Sequence, residues 1–239
     1  MDNCLTILCI PMNLRIISRF ILVKNLLIFL VTIGLQLSSS GQVLAVLKYN
    51  GGGDWYANPT ALENLASFYN ENLNGACQVQ GHTTPANVLT SGISFLHATG
   101  HGRIFFDAVD VQYLRAFVER GGFLHIDDNY GMGEFARAEI QKIFPDQAGQ
   151  LLPSNHIIFK GPYSFPEGLP KIHEHDAKPP QALGYFLEGE LVAVLTIESD
   201  LGDGWEDPEV HNDDRETREK ALKMGANLLH WSLTRNTEP

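Results

Sequence analysis

Cysteine is nearly absent. Three occur in 239 residues, and Cys4 and Cys9 stand at the extreme N-terminus, so the rest of the chain keeps Cys77 alone. A single thiol makes no intramolecular disulfide and no thiolate metal cluster. Cys77 has no glycine-rich elbow or basic neighbour to activate it, and it reads as buried and inert. Basic residues are scarce too: 17 Lys and Arg face 28 Asp and Glu, a formal net charge of −11. That balance argues against nucleic acid and anionic lipid as partners. Familiar catalytic spacings are also missing. There is no GxGxxG or Walker-type phosphate loop, no HExxH zinc helix and no GxSxG nucleophile turn.

The N-terminus differs in kind from the remainder. Arg15, Arg19 and Lys24 precede an apolar run at 26–37 (LLIFLVTIGLQL), and Ser38-Ser39-Ser40-Gly41 follow. A basic region, an apolar region and small residues in that order are the pattern of a secretory signal. The run is about twelve residues, against roughly twenty needed to span a bilayer, so a cleaved signal is expected over 1–40 rather than a retained anchor. The expected product is exported, periplasmic or extracellular, and meets the membrane only through targeting. Met12 is an alternative start to Met1, because residues 1–11 add nothing a signal needs. Three basic groups and one acid precede residue 41, so 41–239 keeps 14 Lys and Arg against 27 Asp and Glu, a net of −13.

Residues 41–239 read as one α/β domain. A short apolar run at 43–49 predicts a first strand, and Thr60 with Glu63 predicts a capping box for a helix burying Leu62, Leu65, Phe68 and Tyr69. Strands are expected at 76–80 and 93–99. Asp107 should cap a helix that buries Val111, Leu114, Phe117 and Val118 and stops at Gly121-Gly122. Residues 123–127 form another strand, after which 128–131 should open a helix carrying Phe135, Ile140, Ile143 and Phe144. Seven of the twelve prolines fall within 145–180, which excludes a long helix there and suggests a cover over the domain. A hairpin around Glu188-Gly189-Glu190 and a helix over 216–234 complete the chain. Strands alternating with amphipathic helices imply a three-layer fold, with a mostly parallel sheet covered on both faces.

Three polar segments follow strands: GGGDWY (51–56), DDNYG (127–131) and ESDLGDGWED (198–207). Loops beyond the carboxyl ends of parallel strands converge on one crevice. That places Asp54, Trp55, Tyr56, His101, Asp127, Asp128, Asn129, Glu174, Asp200 and Asp203 around a candidate cleft. Two aromatic rings beside Asp54 suit a sugar platform, although Trp55 packed over its own loop fits equally. His173 and His175 flank Glu174, and on an extended segment they point to one side; with Asp200 they suit a divalent metal such as zinc. A solvated polar network is the plainer reading of the same residues. His97 reads as a satisfied core histidine, and His211-Asn212-Asp213-Asp214 as the cap of the last helix. Five carboxylates in 198–207 are expected to keep that stretch out of a core. Trp205 should nonetheless draw it inward, toward His173, His175 and Lys171 as donors.

Four stretches together, LKYNGGGDWY, LRAFVERGGFLHIDDNYG, LPKIHEHD and ESDLGDGWEDPEVHND, resemble the bacterial domain-of-unknown-function 4159 family over about residues 43–234. That resemblance implies a flavodoxin-like, three-layer α/β arrangement similar to class I glutamine amidotransferases, and it carries no established activity. Amidotransferases place a nucleophilic cysteine after the strand that corresponds to 123–127. Asp128, Asn129 and Tyr130 stand there, so thiolate-dependent glutamine hydrolysis is not expected. Two functions fit the residues. One is an exported domain that binds, or hydrolyses, a small polar or glycan ligand through carboxylate pairs. The other is a non-catalytic module that docks an envelope protein through the Pro-rich cover and acidic loops.

Overall fold

A computed structural model describes residues 41–235, and the expected signal over 1–40 lies outside them. Seven strands form one sheet: β1 (Val43–Leu47), β2 (Gln78–Thr83), β3 (Phe95–His101), β4 (Phe123–Tyr130), β5 (Gln150–Leu151), β6 (Gln181–Leu187) and β7 (Glu190–Ile197). Their spatial order is β2-β1-β3-β4-β7-β6-β5. The first five in that order are mutually parallel, whereas β6 and β5 add antiparallel to the edge. The sheet is therefore mixed, mostly parallel, and the fold is the expected three-layer α/β arrangement. No helix among the described residues is long and apolar enough to cross a membrane.

Each face has its own apolar layer. On one face α1 (Ala61–Leu73) and α6 (Arg215–Thr234) pack with the short α4 (Leu201–Trp205). Leu62, Leu65, Tyr69, Leu228 and Leu229 are buried there, as the helical spacing of 3.6 requires. On the other face α2 (Ala108–Glu119) and α3 (Gly133–Ile143) bury Leu114, Phe117, Val118, Ile140 and Ile143. Asp107 caps α2, accepting from the backbone N–H groups of Val109 and Asp110. The proline-rich stretch is a cover in the literal sense. Ile158, Phe159 and Leu169 sink into the first face, and Ile172 N–H donates to Ser199 at 2.9 Å to fasten the segment beside α4.

Several local expectations give way to tertiary contacts. Thr60 makes no capping bond; its hydroxyl and its N–H both donate to Glu206, at 2.9 and 2.8 Å, so the remote carboxylate replaces Glu63. β4 does not stop at Asp127. Asp128, Asn129 and Tyr130 continue the strand, paired with the end of β3, and the helix begins only at Gly133. Phe135 is exposed on α3 rather than buried. The largest departure is the acidic stretch, where Ser199, Asp200, Leu201 and Trp205 are wholly buried and Asp203 and Glu206 nearly so. Composition alone excluded this from a core. The partners described next are what make it possible.

Candidate functional site

The site begins as a pattern within the sheet. β3 and β4 both open with Phe-Leu-His, and their parallel register sets Phe95 beside Phe123, His97 beside His125 and Thr99 beside Asp127. β7 adds Thr196 beside Asp127. Because alternate residues share a face, one face passes from apolar to imidazole to hydroxyl and carboxylate as the strands approach their carboxyl ends. Phe95 stacks on Phe123 with centroids 5.7 Å apart, and His97 on His125 at 5.0 Å. The Trp205 ring covers both imidazoles, at 5.1 and 5.6 Å.

These two histidines are part of a buried chain of hydrogen bonds. His97 Nδ1 meets His125 Nδ1 at 3.1 Å, and His125 Nε2 meets the Thr196 hydroxyl at 3.0 Å. Thr196 Oγ1 in turn contacts Asp127 Oδ1. Burial pushes His97 down to about 3 from its ordinary 6.5, and pushes His125 in the same direction with help from His97. Between about pH 3 and 6.5 the unfolded chain then binds protons that the folded chain refuses. The contribution of neutral His97 to stability should therefore be complete above pH 6.5 and fall as the pH drops toward about 3. Thermal melts across that window should show the decline, and His97→Phe should flatten it. An unchanged slope in the variant would remove His97 from the explanation.

Asp127 and Asp203 lie at the centre. Asp127 is fully buried and accepts from Gly202 N–H at 2.6 Å. Burial, with Asp200 and Asp203 nearby, raises its carboxyl to about 8 against the hydrogen bonds that favour ionisation, so it is largely protonated at neutral pH. Asp203 has the opposite balance. Burial works to raise its carboxyl, but hydrogen bonds from His173 and Asn58 and the nearness of His211 hold it below the ordinary range. The Asn58 amide donates to Asp203 Oδ1 at 2.7 Å, and the Asn129 amide donates to the same oxygen at 2.5 Å. Thr99 orients both amides, its hydroxyl lying 2.6 Å from Asn58 Oδ1 and 2.8 Å from Asn129 Oδ1.

The cover supplies the histidines. His173 Nδ1 lies 3.4 Å from Asp200 Oδ2 and 3.5 Å from Asp203 Oδ2, while its Nε2 meets Asp213 at 3.0 Å. Those contacts to Asp200 and Asp203, then to Asp213, outweigh burial and raise the imidazole to about 11. The Asp213 contact is the one of ordinary hydrogen-bond length. His175 Nε2 reaches Asp200 Oδ2 at 2.5 Å, and its ring stacks on Tyr130 with centroids 4.5 Å apart. Asp200 itself is wholly buried in a left-handed conformation, φ 61° and ψ 47°, which a side-chain-bearing residue adopts at a cost.

The structure thus gathers Asp127, Asn129, His173, His175, Asp200 and Asp203 at one end of the sheet. Other expected cleft residues stand apart. Glu174 is exposed and turns outward to Lys171 at 3.0 Å, and Lys171 also holds Glu198 at 3.2 Å. Asp54 and His101 pair at 3.0 Å on the rim of the same strand ends, joined to the centre through β3 and through the loop that carries Asn58. Trp55 packs toward His82 at 5.0 Å and under Lys48, while Tyr56 projects into solvent. Asp128 falls on the opposite face from Asp127, since the two are consecutive in a strand. It accepts from the N–H of Tyr130 and of Met132, and burial raises its carboxyl. Asp128, Tyr130, Arg137, His175, Lys178 and Asp200 line a cavity of about 470 Å³.

Sequence reasoning missed Asn58, Thr99, His125, Thr196 and His211 as members of this cluster. Asp214 does cap α6, accepting from Thr217 N–H at 2.7 Å, but His211 and Asp213 turn toward His173. A usable signal existed in the repeated Phe-Leu-His, which marks two adjacent strands whose imidazoles share a face. Cys77 lies at the amino end of β2, buried, with its thiol raised by burial to about 11. The sequence model of one family, described as a domain of unknown function (DUF4159), matches residues 43–233, and the chain belongs to that family. No curated protein matches it.

Proposed function

We propose that this member of the DUF4159 family binds a small polyhydroxylated molecule, of saccharide type, in the cavity at the carboxyl ends of β4 and β7. The observation that carries this reading is an aromatic ring standing at a charged cavity. Tyr130 is 48% exposed, braced by His175 beneath it and by a hydrogen bond from its hydroxyl to Asp176 at 3.1 Å. Arg137 and Lys178 supply donors to the cavity and Asp128 and Glu198 supply acceptors. A ring platform with donors and acceptors on both sides suits a ligand that is apolar on one face and hydroxylated at its edges. Asp128, whose carboxyl is raised by burial, and the His175–Asp200 pair are the groups that would serve general acid and base roles if the ligand is hydrolysed. Export is part of the same proposal, on the basic-then-apolar pattern of residues 15–40.

Docking of an envelope protein is the less supported use. It relied on acidic loops as a surface, and the loop at 198–207 is largely interior. A thermal-shift screen of mono- and oligosaccharides tests the proposal. At least one should raise the melting temperature, and Tyr130→Ala should abolish the shift while leaving the unliganded protein as stable as before, because the ring is half exposed. A screen without a single saturable shift, or a shift that survives Tyr130→Ala, would overturn it.

A further inference from the structure

The histidines and carboxylates on the far side of Asp200 from that cavity have a geometry of their own. Donor atoms of His173, Asp203 and His211 all lie within 4.8 Å of one another. His173 Nδ1 is 3.5 Å from Asp203 Oδ2, and His211 Nε2 is 3.9 Å from Asp203 Oδ1. Ligands about 2.0–2.1 Å from a tetrahedral zinc ion are separated from each other by about 3.3 Å. Every pair of ligand atoms already lies within 4.8 Å, so side-chain rotation can draw the three toward that spacing.

Two independent observations point the same way. The first is the orientation of His173. Its Nε2 is engaged by Asp213 at 3.0 Å, which leaves Nδ1 as the atom facing Asp203. A carboxylate holding the outer nitrogen of an imidazole, so that the inner one is presented to a metal, is the usual support of a ligating histidine. The second is an unmatched acceptor. Asp200 is wholly buried, and its Oδ1 has no hydrogen-bond partner among the described residues. That oxygen belongs to the carboxyl group whose Oδ2 is 3.4 Å from His173 Nδ1, so the carboxyl group borders the cluster. A buried carboxylate oxygen left without a donor is costly, and a cation would supply what it lacks.

We infer that His173, Asp203 and His211 form a binding site for one zinc-type divalent cation, with Asp213 positioning His173 and Asp200 adding negative charge beside the ion. Two imidazoles and one carboxylate are a zinc ligand set that leaves a fourth position open. The ligand set expected from sequence, His173, His175 and Asp200, overlaps this one only at His173. His175 faces the cavity and meets Asp200 from that side.

Zinc titrated calorimetrically into chelator-treated protein tests the site. The expected result is saturable uptake of one ion per chain. His211→Ala should weaken it at least tenfold, and since His211 is exposed on the four-residue α5 (Pro208–His211), the zinc-free variant should still fold and unfold cooperatively. Asp213→Ala, which removes only the supporting carboxylate, should weaken binding by about 10- to 100-fold. Absence of saturable uptake by the wild type overturns the inference, and so does an affinity unchanged by His211→Ala. Tyr130→Ala should leave zinc affinity as it was, so the zinc site and the saccharide reading stand or fall separately.

Discussion

Trp205→Ala should lower the unfolding free energy by about 3 to 5 kcal/mol, the range for removing a large aromatic side chain from a core. The side chain is fully buried and heads the largest of those that are. It touches three different parts of the molecule at once. Its face covers His97 and His125, its N–H donates to the Ala221 carbonyl at 2.8 Å, and its edge lies against Gly225 so closely that a Cβ there would come within 2.8 Å of the ring. Glycine at 225 is thus a requirement of this indole and of Leu65, whose Cδ1 would lie 2.6 Å from such a Cβ. Total stability for a domain of this kind is about 5–15 kcal/mol, so the loss would be a large fraction of it. Trp205→Phe keeps a ring and loses the donor, and should cost clearly less. Urea unfolding of the two variants gives the comparison; a loss below about 1 kcal/mol for the alanine variant would mean that the site collapses freely around the gap.

Removing the Asp203 carboxylate should cost nearly as much, about 3 to 5 kcal/mol for Asp203→Ala, through a different mechanism. No large cavity forms. Instead the amides of Asn58 and Asn129 lose their shared acceptor, and His173 loses one of the carboxylates around it. An orphaned buried donor costs about 1 to 3 kcal/mol, and two amides are affected. The charge has a pH signature. Asp203 is held below its ordinary range, so its contribution is present above the unfolded value of 3.8 and is lost as the pH falls through the depressed folded value. Measured in chelator-treated protein, Asp203→Ala and His173→Ala should be non-additive, because each leaves the other's partner unpaired. Additive losses would show that His173 and Asp203 are neighbours without being coupled.

Much of the architecture is written locally. The β1 run, the Asp107 cap, the Gly121-Gly122 stop and the Glu188-Gly189 turn are each settled by a few consecutive residues, and each is found where its residues place it. The site is written non-locally. Asn58 and Asp203 are 145 positions apart, and Thr60 and Glu206 are 146 apart. Nothing near 198–207 announces that it has amide and hydroxyl donors waiting, so five carboxylates read as solvated. The same reason explains β4. Asp127, Asp128 and Asn129 end the apolar run, and a strand looks finished there unless one knows that Thr99, Thr196 and Gly202 take up the polar groups. His211 is hidden because the capping role of its segment, which Asp214 fills, accounts for the polar residues around it.

The wide sequence separation of the donors has a kinetic consequence. Bringing Asn58 and Asn129 to Asp203 closes loops of 145 and 74 residues, whose entropy must be met before these bonds can form. The Phe95–Phe123 and neighbouring apolar pairings between adjacent strands come at a much smaller separation and can form the folding nucleus. If the nucleus forms there, the polar centre is assembled after the rate-limiting step, on a sheet that already exists. Interactions absent from the transition state act on the rate of unfolding rather than of folding. The buried carboxylates would therefore act as a latch, governing how long the native state persists more than how quickly it is reached.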